Sequence, residues 1–271
     1  MTSALDDRLS PVLFIPHGGG PLPLLGDTGH RNLIRFLQGI TSDLGKPSAI
    51  CVISAHWEEP VATITSGESP WLIYDYYGFP DQAYAIQYPV QGLPKLATRI
   101  FDLLKCNGIE ARLDDRRGFD HGLFVPLKIM FRNAQIPCVQ LSLVHGLDPE
   151  THIKIGKAIS ALRKDNILFL GSGFSFHNLN AFVTPNNHAS DAKNQSFENW
   201  LIDSCTNPKL SPHERETRLI RWKEAPNAGY CHPREEHLLP LHVCFGLSNA
   251  APARLVFDGE VLEKKTSAFL W

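Results

Sequence analysis

The sequence predicts an α/β protein: a single domain over residues 1–271, three layers deep (α/β/α), around a mixed, largely parallel sheet. Two observations carry that prediction. Short apolar runs rich in β-branched residues alternate with longer stretches in which apolar residues recur every three or four positions. Such strand–helix alternation builds sheets covered by helices. No internal repeat or low-complexity linker divides the chain, and 271 residues at 43% hydrophobic suffice for one large core.

The elements follow in order. Val12 to Ile15 is an apolar strand closed by a proline and a glycine run, and Arg31 to Leu44 has helical spacing. Ala49 to Ile53 is a second buried strand. Pro94 to Cys106 opens on proline at a first-turn position and closes near Gly108, good start and stop signals for a helix. Gly122 to Phe131 and Glu150 to Arg163 read as helices, Cys138 to Ser142 and Ile167 to Leu170 as strands. Residues 184–227 are the most polar stretch. They read either as an insertion over the site or as an outer helix pair, Asp191 to Asp203 and His213 to Trp222. The tail reads as strand Ala253 to Phe257, a turn at Asp258 and Gly259, then strand Glu260 to Leu262.

Charge and composition exclude several function classes. A formal net charge of -2 with no Lys/Arg run argues against nucleic acid or an anionic membrane as partner. No apolar run approaches the roughly 20 residues that span a bilayer. Six cysteines are scattered without a C-x-x-C pair, and Cys51 and Cys138 sit in strand-like runs, so buried free thiols are expected. Met1 to Arg8 show neither the basic nor the apolar region of a secretory leader. A soluble, cytoplasmic protein is the expectation.

The chemistry concentrates in histidines. His17 follows the first strand and precedes Gly18, Gly19 and Gly20; His56 ends the second strand in Ser54-Ala55-His56-Trp57; His177 lies beyond the strand ending at Leu170. Open α/β sheets bind ligands at such strand ends, and neutral imidazole is the commonest protein metal ligand. His121 follows Asp120, which reads as the N-cap of the next helix. His237 follows Glu235 and Glu236, acids suited to orienting a liganding imidazole.

Rival motifs fail. An H-G-G-G run also occurs in lipase oxyanion loops, but no G-x-S-x-G elbow accompanies it. His232, His237 and His242 are five apart, not H-E-x-x-H, so at most one of His237 and His242 faces a given site. His242 reads as a helix-face residue and His232 is left open. His30, His145, His152, His188 and His213 read as surface residues. These patterns point to a metal enzyme with a histidine acid/base.

The set as a whole resembles a known family. Pro16-His17-Gly18-Gly19-Gly20, Ser54-Ala55-His56-Trp57, Tyr74 to Pro80, Gly118-Phe119-Asp120-His121, His177-Asn178-Leu179 and Arg234-Glu235-Glu236-His237 are similar to the class III extradiol ring-cleavage dioxygenases, in the DOPA 4,5-dioxygenase-like branch. The resemblance runs from about Pro11 to the C-terminus. It implies His17, His56 and His237 as metal ligands, with Glu236 or His232 as alternatives in the third position. It implies His177 as active-site base, or as fourth ligand with zinc, and His121 as a catalytic group near dioxygen or substrate. Fe(II) is the implied cofactor, and Zn(II) can occupy the same donors. The implied partners are a DOPA-like or other small substituted catechol and dioxygen, with no nucleic acid, no membrane and the oligomeric state left open. A zinc-dependent hydrolase or a non-catalytic metal-binding relative is the rival expectation. Trp57 and Tyr74 to Pro80 read either as an aromatic wall for the substrate ring or as packing in a turn region.

Overall fold

The structure, a computed structural model, describes residues 9–184 and 187–271. The expectation about a leader in Met1 to Arg8 falls outside the described residues. Among the described residues eight strands form one sheet: β1 Val12–Pro16, β2 Ala49–Glu59, β3 Ala62–Thr65, β4 Ala111–Asp114, β5 Cys138–Val144, β6 Ile167–Gly173, β7 Arg254–Val261 and β8 Lys264–Leu270. Their order is β4-β3-β5-β2-β6-β1-β8-β7. The centre is parallel: β5 pairs β2, β2 pairs β6, and β6 pairs β1, all in one direction. The β7–β8 hairpin closes one side antiparallel.

The helices are α1 Arg31–Ile40, α2 Asp81–Tyr84, α3 Pro94–Cys106, α4 His121–Met130, α5 Pro149–Ile159, α6 Leu179–Val183, α7 His188–Thr206, α8 Pro212–Ile220, α9 Ala228–Cys231 and α10 Leu239–Leu247. Strand side chains alternate between two faces, and both faces are buried. Val12, Phe14, Cys51, Ile53 and Phe169 pack against α3, α5, α7, α8 and α10. Leu13, Ile15, Ile50, Val52, Leu168 and Leu170 pack against α1 and α4. Three layers result, as the sequence predicts. No helix among the described residues is long and apolar enough to cross a membrane.

Four sequence readings are corrected. The strand holding His56 does not end there: β2 runs on to Glu59, and its register against β5 shifts between Ile53 and Glu58. That irregularity turns the strand at the histidine. β3 and β4, four residues each near one edge, carry too short a pattern to be read. The helix from Arg31 stops at Ile40, followed by a 3-10 turn, and the one from Pro149 gives way to a 3-10 segment, Ser160–Asp165. The tail turn is not at Asp258 and Gly259, which lie inside β7; it is at Leu262 and Glu263, with φ of 52° and 61°. Burial of Thr266 to Leu270 beside β1 sets that register and overrides the local Asp-Gly turn signal. The polar stretch is a helix pair, as one of its two readings held: Phe197, Leu201 and Leu219 tie α7 and α8 to the core.

Candidate metal centre

Three adjacent parallel strands deliver the site at their carboxyl ends, where open sheets place ligands. His17 follows β1, His56 lies among the last four residues of β2, and His177 lies four residues beyond β6. His121 is the first residue of α4 and His237 sits just before α10. The five imidazoles converge. His17 Nε2 is 3.0 Å from His56 Nε2, and ring centroids of His17 and His237 are 5.2 Å apart. His56 lies 3.9 Å from His121 and His177 lies 3.4 Å from His237, centroid to centroid. Ligand atoms of His17, His56 and His237 all lie within 4.8 Å of one another. The same limit holds for His56, Asp75 and His121, and for His177, Glu236 and His237.

Partners on the outer nitrogens set the inner ones. His17 Nδ1 is 3.1 Å from Ser172 Oγ, and Ser172 donates its own proton to the Gly122 carbonyl. That carbonyl is available because Pro126, four residues on in α4, has no N–H to offer it. Ser172 is therefore an acceptor for His17, which keeps its proton on Nδ1 and a lone pair on Nε2. His237 Nδ1 donates to Glu236 Oε1 at 2.8 Å, and His177 Nδ1 lies 3.2 Å from the same oxygen. His121 Nδ1 and its backbone N–H both donate to Asp75 Oδ1, at 2.8 and 3.0 Å. His56 Nδ1 is 3.6 Å from Asp75 Oδ2.

Burial then fixes charge. It pushes His17 and His56 well below their ordinary range, the neighbouring imidazoles adding to the effect, and His237 down to about 3. These rings are neutral at pH 7. Glu236 is opposed by burial, yet hydrogen bonds from His177 and His237 hold it ionised. Asp75 is likewise opposed by burial and held below the usual range by His121.

Neutral imidazoles with lone pairs aimed inward, backed by a serine and carboxylates, are a donor set that fits a divalent transition ion. The residues present therefore suit the metal implied by the resemblance.

The close approach of His237 depends on Gly173. A Cβ there would lie 2.1 Å from the His237 carbonyl oxygen, which accepts from Phe174 N–H at 2.8 Å. Gly18, at φ +92°, bends the first loop past His30. His30 is a correction to the sequence reading: it is fully buried, pairs with Asp27 at 2.6 Å and accepts from Gly19 N–H at 2.9 Å. His152 is buried too, bonded to Asp148 and Val144. His145, His188 and His213 are exposed as expected. His232 points away from the cluster, donating to the Ser175 carbonyl at 2.7 Å between Phe197 and Trp222. His242 bonds the Leu219 carbonyl and takes no part.

Asp120 holds the N-cap position without a side-chain cap bond. Its carboxylate receives Ser54, Gln140 and Arg117 instead, while Asp75 accepts the N–H of His121 at the first position of the helix.

A cavity of about 640 Å³ opens over the cluster, lined by the five histidines, Asp75, Tyr76, Tyr77, Phe79, Phe174, Phe182 and several aliphatic side chains. The aromatic wall thus holds in part. Trp57 is excluded from it: its indole is buried beneath Arg117 and donates to Glu59. Tyr74 is bound to the Ile86 carbonyl, away from the cavity. Sequence reasoning missed Asp75 and Ser172, whose roles exist only across elements far apart in the chain.

A histidine-lined cavity at the strand ends of a parallel sheet defines an enzyme of the open α/β class. Comparison with known proteins makes it specific. The family described as the catalytic LigB subunit of aromatic ring-opening dioxygenase matches residues 13–267. The 4,5-DOPA dioxygenase extradiol of Beta vulgaris is 35% identical, covering 95% of this chain and 95% of its own length. Dioxygenase tasH of Hapsidospora irregularis is 35% identical over 97% of this chain and 86% of its own. The crystal structure of an uncharacterized Escherichia coli K12 protein matches with TM-score 0.78 and 28% identity, covering 97% of this chain and 99% of that one. The chain belongs to the LigB family of aromatic ring-opening dioxygenases, in the branch of the 4,5-DOPA dioxygenases. It is an extradiol ring-cleaving oxidoreductase.

Proposed function

We propose that the whole chain acts as one catalytic domain, a non-haem Fe(II) dioxygenase that opens a small substituted catechol beside its hydroxyls. The observation that carries the reading is the convergence of His17, His56 and His237, neutral and backed from behind. These three would hold the ion. When bound, Fe(II) supplies an electron path between catecholate and dioxygen and acidifies the hydroxyls; zinc, which suits the same donors, has no redox step.

The chain's own residues do the rest. His177, oriented by Glu236 at 3.2 Å and facing the cavity, takes the second catechol proton on Nε2. His121, fixed by Asp75, presents its Nε2 to the same space. The aromatic wall stacks the ring and keeps water from the reacting carbons. In the net reaction one ring carbon–carbon bond breaks and both oxygen atoms of dioxygen enter the product, a semialdehyde bearing a new carboxylate. No external reductant is required. All six cysteines are free and five are buried, which supports a reducing, cytoplasmic setting.

The test is anaerobic reconstitution with Fe(II), then oxygen and a panel of catechols. Yellow semialdehyde should form with iron and not with zinc. Esterase or phosphatase activity restored by zinc, without ring cleavage under iron, would overturn the assignment. His177→Ala should keep its metal and lose turnover by roughly a hundredfold or more; unchanged turnover removes His177 from the mechanism.

A further inference from the structure

His56 sits where its strand loses its neighbours. The register of β2 with β6 ends at Ser54, and that with β5 lapses between Ile53 and Glu58. Among the described residues Ala55, His56 and Trp57 therefore have no registered partner on either side, where paired N–H and C=O groups ordinarily fix a strand. The His56 N–H goes instead to Ser54 Oγ at 3.1 Å. Ser54 in turn donates its hydroxyl proton to Asp120 Oδ1 at 2.8 Å.

The other flank of His56 leads to the same carboxylate. The Arg117 guanidinium covers the Trp57 ring at 4.4 Å and donates to Asp120 Oδ2 at 3.0 Å. Gln140, on β5, donates to that oxygen too. One fully buried carboxylate thus joins both flanks of His56 to β5, the strand whose register lapses there. None of these bonds serves the helix that Asp120 precedes, since it makes no cap bond. Its next residue is His121, whose ring lies 3.9 Å from that of His56. The start of α4 is pressed against β2 at this point: a Cβ on Gly122 would lie 2.5 Å from Ser54 Oγ and 3.1 Å from Asp120 Oδ1. An amide cannot replace the carboxylate, because asparagine turns one acceptor oxygen into an NH2 facing a donor.

We infer that Asp120 is a positioning residue of the metal centre, holding His56 beside His121 through Ser54 on one flank and Arg117 on the other. The inference rests on the metal reading above, and Asp120 acts from behind, since it does not line the cavity. The experiment compares the wild-type chain with Asp120→Asn, Ser54→Ala and the double variant. The readouts are chelator competition for bound metal, the visible absorption of the Co(II)-loaded protein, and hydrogen exchange of the His56 amide by NMR. Each single variant should weaken metal binding about 10–100-fold, shift the Co(II) bands, and speed exchange of the His56 amide by about tenfold. The double variant should bind metal no more weakly than the worse single one, because both act through one chain of bonds. Leu201→Ala, a truncation in the core under α7, should lower the melting temperature and leave metal affinity and the Co(II) bands unaltered, which separates positioning from lost stability. Unchanged bands and affinity in Asp120→Asn, or losses in the single variants that add in the double, overturn the inference. If Asp120→Asn does not fold, Ser54→Ala decides by the same readouts. A wild-type chain that binds no metal strikes instead at the metal reading, while the His56 amide still reports whether Asp120 holds that residue.

Discussion

Gly173→Ala tests how tightly the sheet controls the site. The added methyl would lie 2.1 Å from the His237 carbonyl oxygen and 3.1 Å from its carbonyl carbon, where ordinary contact begins at 3.4 Å. The obstacle is backbone, so no rotamer change relieves it, and the residue 237 segment must retreat by more than 1 Å. Overpacking of this kind costs about 1–3 kcal/mol, which lowers the melting temperature by about 2–4 °C per kcal/mol in a chain near this size. The functional cost is larger, because a misplacement of about 1 Å in a catalytic group lowers rate by about a hundredfold. Gly39→Ala is the control: it lies in the last turn of α1 with nothing within 4 Å of the added methyl, and should be tolerated, stabilising by up to about 0.5 kcal/mol. Thermal melts, bound metal per chain and ring-cleavage kcat/KM are the readouts. A Gly173→Ala protein with unaltered melt, metal content and turnover refutes the claim that this contact positions His237.

Three further outcomes are expected. Ser172→Ala leaves His17 Nδ1 without its acceptor and should weaken metal binding about 10–100-fold in a chelator competition; unaltered affinity would mean that Ser172 does not set the tautomer. Burial pushes His232 and His242 each down to about 4 from 6.5. Both are neutral in the folded chain, whereas the unfolded chain takes up protons below about 6.5, so stability falls as pH drops from 6.5 toward 4 by about 3 kcal/mol per residue. Denaturant melts showing level stability from pH 7 to 4.5 would contradict this. Tyr76→Phe removes a hydroxyl that donates to the Ala83 carbonyl at 2.7 Å, so it should cost about 1 kcal/mol and leave catechol affinity within about twofold. A tenfold loss of affinity would place that hydroxyl on the substrate.

The sequence by itself determined the layer architecture, because apolar runs such as Val12 to Ile15 and Ile167 to Leu170 are buried on both faces and leave a local signature. It also marked His17, His56, His121, His177 and His237, since strand ends and turn residues beside a histidine are readable one run at a time. What it could not determine lies between runs. Whether His30 is a surface group or the buried clamp of the glycine loop depends on Asp27 and Gly19 closing around it. Whether Asp120 caps its helix depends on Ser54 and Gln140, which arrive from other strands. The turn at Leu262 and Glu263 was decided by β8 pairing with β1. Orientation of each imidazole, and so the placement of its lone pair, belongs to partners up to 155 positions away. Local pattern encodes which residues face inward; only the packed sheet decides which of their atoms meet.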